Sequence, residues 1–217
     1  MMKRTILFDL DGTLLDTLAD LHASTNFALR EYGYLERTLE EVRAFVGNGL
    51  RMLIVRCLPK GSNEAEIDRV LAAMKAHYAQ HCCEKTAFYA GVPALLQALT
   101  DDGCKLAVVT NKAMQMAQVL HERFFAPWVT LTIGESSRLP KKPDPAMVRE
   151  ALSALNGSKE DAVYVGDSDV DILTAKNAGL PCLSVSWGFR SANFLWDSGA
   201  KSVSATPEEL YRAICAL

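Results

Sequence analysis

The sequence lacks the features that define several specialised classes of protein. Among its 217 residues, no apolar run approaches the roughly 20 residues that a membrane-spanning helix needs. Lysine and arginine number 23 against 26 aspartates and glutamates, which leaves a net charge of -3. This balance gives no electrostatic reason to expect nucleic acid or an anionic membrane as a partner. There is no internal repeat or low-complexity segment, and a hydrophobic content of 49% suffices for one domain or two small ones.

The cysteines and the N-terminus both favour a cytoplasmic location. The six cysteines form no Cys-x-x-Cys pair, and the adjacent Cys82 and Cys83 have poor geometry for a structural disulfide. Cysteines scattered through apolar segments are typical of reduced thiols in a cytoplasmic protein. At the N-terminus, Asp9 interrupts the apolar run that follows Lys3 and Arg4 too early for a signal peptide.

Short apolar runs alternate with helical patterns over most of the chain. Strands are predicted at 5–8, 106–110, 129–133, 162–165 and 181–185. Helices are predicted at 112–125, 145–155 and 169–178, and a last one begins at Thr206 with proline at its first position. This alternation predicts an α/β fold, a doubly wound, Rossmann-like parallel sheet with helices on both faces.

Residues 16–85 break this alternation and predict an inserted all-helical domain. Helices are expected at 17–32 and 50–58, and capping-box signals begin at Thr38 and Asn63. The sheet is expected to resume at 91–93. The predicted division is therefore an α/β core of residues 1–15 and 86–217 with a helical domain of residues 16–85.

Two carboxylates follow the first predicted strand. In extended backbone, side chains two positions apart point the same way, so Asp9 and Asp11 face one site and Leu10 faces away. Such a pair can bind a hard cation or divide the duties of nucleophile and proton donor. Turns at strand ends are also rich in Asp and Gly for backbone reasons alone. A calcium loop is excluded because Leu14 and Leu15 stand where acidic ligands would have to follow.

Three further signals lie at strand ends or open helices, where sites of parallel sheets form. They are Thr110-Asn111, Lys142-Pro143-Asp144-Pro145 and the acidic stretch from Asp167 to Asp171. Each has a simpler explanation. The threonine can cap a helix, the lysine can be solvated, and the acids can stabilise a helix N-terminus. The four signals together, in this order, favour a common site.

In these four motifs the chain resembles the haloacid dehalogenase-like hydrolase superfamily, in its phosphatase branch with a helical cap. The stretches 8–14, 46–49, 108–112, 142–145 and 165–168 are most similar to those of phosphoglycolate phosphatase-like members. The resemblance implies that Asp9 is the nucleophile that forms an aspartyl-phosphate. It implies that Asp11 is the general acid and base. A phosphatase is implied over a dehalogenase because Asp11 is kept.

The same resemblance implies a set of binding residues. Magnesium would be held by Asp9, the backbone carbonyl of Asp11 and Asp167. Lys142 would offset phosphoryl charge while Thr110 and Asn111 donate hydrogen bonds to the phosphoryl oxygens. Asp171, four residues after Asp167, would hold a metal-bound water or Lys142, and Asp169 is expected to point elsewhere.

The helical insertion resembles the family's cap, which closes over the site and contributes specificity. Asn48, Arg51 and Arg56 are candidate substrate contacts, and an arginine here suits a substrate carboxylate. The simpler interpretation is a helix-connecting turn with solvated arginines.

Two other groups of residues permit a functional interpretation. His77, His81 and Cys82 lie at near-helical spacing, but packed or solvent-facing side chains are the simpler interpretation than zinc. For the aromatic residues after 185, core or edge packing is simpler than a loop of residues 187–189 at the rim of the site.

The favoured function is magnesium-dependent hydrolysis of a small phosphorylated metabolite, with 2-phosphoglycolate as the best single substrate. Sugar phosphates, nucleotides and pyrophosphate stay open as substrates. A sugar-phosphate phosphomutase is the alternative reaction class, and a non-catalytic binding protein is a third. The oligomeric state, monomer or dimer, is not fixed by the residues.

Overall fold

A computed structural model describes residues 4–217 of the protein. The described chain divides into two compact units, residues 4–15 with Phe88–Leu217 and Asp16–Ala87. The first unit is built on a six-stranded sheet. The second is helical, and each unit is taken by itself below.

The sheet of the first unit has six strands, which in chain order are Thr5–Phe8 (β1), Lys105–Ala113 (β4), Leu131–Glu135 (β5), Ala162–Gly166 (β6), Cys182–Val185 (β7) and Val203–Ser204 (β8). Their order in the sheet is β5-β4-β1-β6-β7-β8, and all the registered pairs are parallel. Two shorter strands, Leu15–Asp16 (β2) and Ala87–Phe88 (β3), pair with each other. The α/β parallel-sheet prediction is confirmed.

The strand order places β1 in the middle of the sheet. In register, Phe8 lies opposite Val108 of β4 on one side and Val165 of β6 on the other. All four residues of β1 are buried, as expected for the centre of a sheet covered on both faces. The chain visits one side of β1 and then the other, so the carboxyl ends of β1, β4 and β6 adjoin at a topological switch point.

Helices connect the strands of this unit. They are Val92–Asp101 (α5), Met114–Leu120 (α6), Ala146–Ala154 (α7), Asp169–Ala178 (α8), Ala192–Asp197 (α9) and Pro207–Cys215 (α10). A π-helical turn, His121–Phe125, continues α6. The helix α8 ends at Gly179, which is in the left-handed conformation that favours glycine at a helix C-terminus. Apolar side chains of α7 and α8 pack on β1, β4 and β6 in one core cluster.

Several local predictions differ from the structure, among them the strand expected at 129–133, which is Leu131–Glu135. The segment expected to resume the sheet is the start of α5, where Pro93 occupies the first helical turn. The strand β4 continues to Ala113, so the helix expected from 112 begins later, at Met114. The helix α9 and the strand β8 were not predicted, because both are short and carry a weak periodic pattern.

The second unit consists of Leu18–Glu31 (α1), Leu39–Phe45 (α2), Leu50–Cys57 (α3) and Glu64–His81 (α4). Reciprocal capping boxes start α2 at Thr38 and α4 at Asn63. The residues spaced for one face of α4, Ile67, Val70, Leu71 and Met74, are buried. The buried Asp20 accepts hydrogen bonds from the backbone of Lys85 and Thr86, which ties the end of the unit to its first helix.

Candidate active site

The carboxyl end of β1 presents two carboxylates two residues apart. The backbone N–H of Asp9 donates to Val165 O at 2.8 Å, so the ladder with β6 continues one residue past β1. Gly12 follows with a φ of +87°, a left-handed turn that favours glycine. Asp9 and Asp11 therefore stand where the chain leaves the sheet, in the crevice that the strand order predicts.

Lys142 lies at the centre of the site, although it follows no strand directly. Its Nζ lies 2.8 Å from Asp9 Oδ1 and 2.8 Å from Asp171 Oδ1, and it donates to Tyr164 Oη at 3.0 Å. Burial acts to lower the pKa of Lys142, but the carboxylates of Asp171 and Asp9 raise it well above its usual value. The lysine is therefore a fixed positive charge between two carboxylates.

Asn111, at the end of β4, holds the backbone of Lys142. Its Oδ1 accepts from Lys142 N at 2.8 Å, and its Nδ2 donates to Lys142 O at 3.1 Å. This pair of bonds fixes the segment that carries the lysine. Thr110 Oγ1 accepts from Lys112 N at 3.2 Å, and both side chains are buried. Contact of Thr110 and Asn111 with a phosphoryl group remains a prediction.

Asp167 is held between two segments of the chain, residues 12–13 and residues 188–189. Thr13 Oγ1 donates to its Oδ1 at 3.3 Å, and the backbone N–H of Phe189 donates to its Oδ2 at 2.7 Å. A Cβ atom at Gly12 or Gly188 would collide with the Asp167 carboxylate. Both positions therefore require glycine for the carboxylate to lie where it does.

Asp171, in the first turn of α8, is completely buried and faces the site. Its Oδ2 accepts from Ser168 Oγ at 2.6 Å and from Ser168 N at 3.1 Å, while its Oδ1 pairs with Lys142. Of the two arrangements predicted for Asp171, the structure contains the contact with Lys142. Asp169, two residues earlier on α8, is exposed.

Three carboxylates converge closely enough to share a cation. Among the described residues, ligand atoms of Asp9, Asp167 and Asp171 lie within 4.8 Å of one another. Burial and the charge of Asp171 raise the pKa of Asp9 to about 7, and the same two causes raise that of Asp167 well above its usual value. Converging, desolvated carboxylates are hard oxygen donors whose repulsion a divalent cation relieves, so the site fits a metal ion.

Several residues of the site escaped the sequence analysis. Lys112 pairs with Asp11, with Nζ 2.9 Å from Oδ1, and its side chain is only 2% exposed. Tyr164 donates to Val109 O and approaches Lys142 and Asp171. The sequence signal for Lys112 was its place directly after Thr110-Asn111. For Tyr164, in the middle of β6, there was no such signal.

The loop after β7 lies against the site. Trp187 Nε1 donates to Thr13 O at 3.0 Å, and Phe189 N binds Asp167. The alternative of a loop at the rim of the site therefore describes residues 187–189 better than core packing. Phe194 and Trp196 of α9 are 41% and 50% exposed, so of the expected core or edge packing only the edge position applies to them.

The candidate substrate contacts of the helical unit form ion pairs and hydrogen bonds with other residues of that unit. Arg51 pairs with Glu64 and Asp68. Arg56 donates to Phe45 O and, at 2.7 Å, to Asn48 Oδ1. Arg56 thus stabilises the loop before α3, and Arg51 links α3 to the start of α4. Contact of Asn48, Arg51 or Arg56 with substrate remains a prediction.

The histidines of α4 are packed. His77 stacks between Phe27 and His81, and its Nδ1 lies 3.0 Å from Ser24 Oγ. His81 Nδ1 lies 2.6 Å from Glu84. The ring stacking and the contact with Ser24 agree with the packed interpretation.

Comparison with known proteins identifies the family. Residues 6–185 match the family model of haloacid dehalogenase-like hydrolases. A phosphoglycolate phosphatase of Rhodobacter capsulatus is 37% identical over 195 residues, which cover 87% of each chain. One of Pseudomonas putida is 34% identical over 87% of this chain and 71% of its own. The chain belongs to the haloacid dehalogenase-like hydrolases.

Solved structures agree with this assignment. A Lactobacillus delbrueckii protein, supposed to be a phosphoglycolate phosphatase, has a TM-score of 0.97 and 35% identity over the whole of both chains. A predicted phosphatase of Clostridium acetobutylicum has a TM-score of 0.89 and 26% identity, also over both whole chains. The chain is thus an enzyme of the phosphoric monoester hydrolase class, as predicted. No helix of residues 4–217 is long and apolar enough to cross a membrane.

Proposed function

We propose that the protein is a magnesium-dependent phosphatase of small phosphomonoesters that works through an aspartyl-phosphate on Asp9, with 2-phosphoglycolate as its best single substrate. The observation that carries the proposal is the Asp9 carboxylate at the end of β1, 2.8 Å from the buried ammonium of Lys142, with Asp11 two residues on. The names of the Rhodobacter and Pseudomonas relatives support the choice of substrate.

The reaction divides into two displacements. An oxygen of Asp9 attacks phosphorus, and the bond from phosphorus to the ester oxygen breaks as Asp11 gives that oxygen a proton. Asp11 then takes a proton from water. The resulting hydroxide attacks the phosphorus of the aspartyl-phosphate, which releases inorganic phosphate and restores the Asp9 carboxylate.

Negative charge must be offset throughout, because a phosphate dianion enters a site lined with carboxylates. Lys142 is the chain's own counter-charge, held in place by Asp171 and, through its backbone, by Asn111. Thr110 and Asn111 are assigned hydrogen bonds to the phosphoryl oxygens. Preorganised donors of this kind stabilise charge that develops in the transition state.

Asp9, Asp167 and the backbone carbonyl of Asp11 are assigned to hold the magnesium ion. When bound, the ion neutralises phosphate charge and orients the phosphoryl group for in-line attack. Thr13 and the N–H of Phe189 fix Asp167 for this task. Asp171 is assigned to position Lys142 and not to bind the metal directly, because its oxygens already bind Lys142 and Ser168.

The helical unit, Asp16–Ala87, is assigned the role of a cap that excludes water and selects substrates. Its two connections to the rest of the chain both pass through the short pair β2 and β3. A cytoplasmic location belongs to the same proposal and is supported by the six cysteines, which form no disulfide with one another within residues 4–217.

A panel of phosphometabolites tests the proposal. The purified protein is assayed with magnesium and scored by kcat/KM, next to Asp9→Asn and to Asp169→Asn, an exposed carboxylate of α8, as the matched control. The expected result is phosphate release that needs magnesium, is lost in Asp9→Asn and persists in Asp169→Asn. Transfer of labelled phosphate between sugar isomers with little free phosphate would instead establish a mutase. Hydrolysis unchanged in Asp9→Asn would refute the nucleophile.

A further inference from the structure

Tyr164 is a completely buried residue of the site to which the two displacements assign no task. It lies in the middle of β6, where its register neighbour is Leu7 of β1, and Leu7 in turn lies opposite Ala107 of β4. The Tyr164 hydroxyl lies 2.9 Å from Val109 O, so the side chain reaches across β1 to β4. A phenylalanine would fill nearly the same space, and packing alone therefore does not require the hydroxyl.

Elementary chemistry decides the direction of the hydrogen bonds at this hydroxyl. A carbonyl oxygen only accepts, and an ammonium only donates. The hydroxyl hydrogen is thus donated to Val109 O, and the hydroxyl oxygen accepts from Lys142 Nζ at 3.0 Å. Asp171 Oδ1, 3.4 Å from the hydroxyl, is a more distant acceptor. Two consecutive hydrogen bonds therefore run from the Lys142 ammonium through Tyr164 to the backbone of β4.

The Lys142 ammonium has three N–H groups and faces three oxygens. Asp9 Oδ1 and Asp171 Oδ1 each lie 2.8 Å from Nζ, and Tyr164 Oη lies 3.0 Å from it. Of these oxygens, that of Tyr164 belongs to a neutral group and the other two to carboxylates. Without it, the ammonium would be drawn toward the two carboxylates, because its third side would have lost its acceptor. With it, one N–H binds Tyr164, another binds Asp171, and the third faces Asp9 and the phosphoryl group that Asp9 attacks.

We propose that Tyr164 is a positioning residue of the reaction, whose hydroxyl sets the direction in which Lys142 presents its remaining N–H. Thr110 follows Val109 directly, so the same hydroxyl links the lysine to the segment that is assigned to bind the phosphoryl oxygens. This inference rests on the proposed phosphatase function and adds a residue to its machinery. Because Lys142 keeps its charge when the hydroxyl is removed, the effect falls on kcat more than on KM.

The variant Tyr164→Phe removes the hydroxyl and keeps the ring. With p-nitrophenyl phosphate and magnesium, kcat is expected to fall about 10–100-fold, as for the loss of a hydrogen bond to a charged group. KM should change by no more than about threefold. Tyr211→Phe is the matched control, because the Tyr211 hydroxyl of α10 donates to Asp102 Oδ2 at 2.7 Å, and it should keep the wild-type kcat. Thermal unfolding shows that each variant is folded, and an unchanged kcat in folded Tyr164→Phe would overturn the inference.

A double variant shows whether Tyr164 acts through Lys142. Asp171→Asn weakens another contact that orients the same ammonium. If both side chains act by orienting Lys142, the loss of kcat in the double variant is smaller than the product of the two single losses, because residues of one hydrogen-bond network are not additive. Losses that multiply would show two independent roles and would overturn the inference.

Nuclear magnetic resonance tests the contact itself without turnover. The hydrogens of the buried Lys142 ammonium are expected to exchange slowly with water, and their signal should show cross-peaks to the ring hydrogens of Tyr164. Lys142→Arg keeps the charge and identifies the signal by removing it. A wild type without these cross-peaks would overturn the inference, even if Tyr164→Phe did not fold, and would leave the phosphatase standing. No hydrolysis of any ester in the panel would instead refute the proposed function, and the inference with it.

Discussion

The Lys142 ammonium and the Asp171 carboxylate form a 2.8 Å salt bridge, and their side chains are 2% and 0% exposed. A buried pair of this kind adds little to stability as a pair, but loss of one partner leaves an uncompensated charge. Asp171 holds the Lys142 ammonium next to Asp9, so the role of the pair is to position this cation in the site.

Replacing Asp171 tests this role. Asp171→Ala is expected to lower the free energy of unfolding by about 3–5 kcal/mol because Lys142 loses its fully buried partner. Asp171→Asn, which keeps the shape, is expected to lower kcat/KM about 10–100-fold, as for other residues that orient a site. Chemical denaturation and steady-state kinetics measure the two effects. The exposed Asp169→Asn should change stability by no more than about 0.5 kcal/mol; equal behaviour of Asp169→Asn and Asp171→Asn would contradict the prediction.

The raised pKa of Asp9 predicts an unusual dependence of stability on pH. Burial and Asp171 raise this pKa from 3.8 to about 7. Between these values the folded, metal-free protein binds a proton that the unfolded chain does not, so stability falls as the pH rises. Asp9→Asn lacks the group. The Tm of the wild type minus that of Asp9→Asn is therefore expected to decrease from about pH 4 to about pH 7.

Excess magnesium should reverse this trend. The ion binds the ionised carboxylates of the folded state, so its stabilisation of the wild type grows as the pH rises. The difference in Tm between the wild type and Asp9→Asn should then increase over the same range. A difference that is flat with pH, with or without magnesium, would exclude Asp9 as the titrating group.

Two glycines provide a matched test of how Asp167 is held. Gly12 and Gly199 have φ values of +87° and +92°, so alanine costs each about 1–2 kcal/mol of backbone strain. A Cβ at Gly12 collides with Asp167, whereas one at Gly199 meets nothing within 4 Å. We expect Gly12→Ala to weaken magnesium binding and lower kcat/KM at least about tenfold, and Gly199→Ala to retain both. Calorimetric titration with magnesium measures the binding, and retained affinity in Gly12→Ala would show that Asp167 is not a ligand.

The assignment of Asp11 as proton donor predicts a dependence on the leaving group. Asp11→Asn is expected to lower kcat/KM for 2-phosphoglycolate about 10²–10⁴-fold, because an alkoxide needs a proton on leaving. The nitrophenolate of p-nitrophenyl phosphate leaves without one, so its loss should be at least about tenfold smaller. Equal losses on both esters would place Asp11 in another role.

The sequence predicted the features that are determined by residues close to one another in the chain. Asp9 and Asp11 follow an apolar strand, and α4 begins at its Asn63 capping box, because strand ends and helix caps depend on neighbouring residues. The order of motifs then placed Lys142 and Asp167 near them. Helix α5 was misjudged as sheet because its apolar start, Val92-Pro93, fits either structure over so few residues.

Contacts between distant residues were beyond such reasoning. Asn111 binds the backbone of Lys142, 31 residues away, and Lys112 pairs with Asp11 across 101 residues. Neither contact produces a periodic pattern in the sequence. The pairing of Lys112 with Asp11 depends on the register of β1 with β4, and that of Asn111 with Lys142 depends on where the loop that carries Lys142 crosses the edge of the sheet. From the sequence alone, a lysine near the end of a strand is equally consistent with a solvated side chain, because the sequence does not show how deeply that side chain is buried.

The stereochemical course at phosphorus tests the central claim most directly. A phosphorothioate substrate, chiral at phosphorus through sulfur and two oxygen isotopes, is hydrolysed with magnesium in water of the third oxygen isotope, and the configuration of the released inorganic thiophosphate is determined. Two in-line displacements through an aspartyl-phosphate on Asp9 each invert the centre, so the account predicts net retention. Net inversion would show that water attacks the substrate directly and would contradict the account.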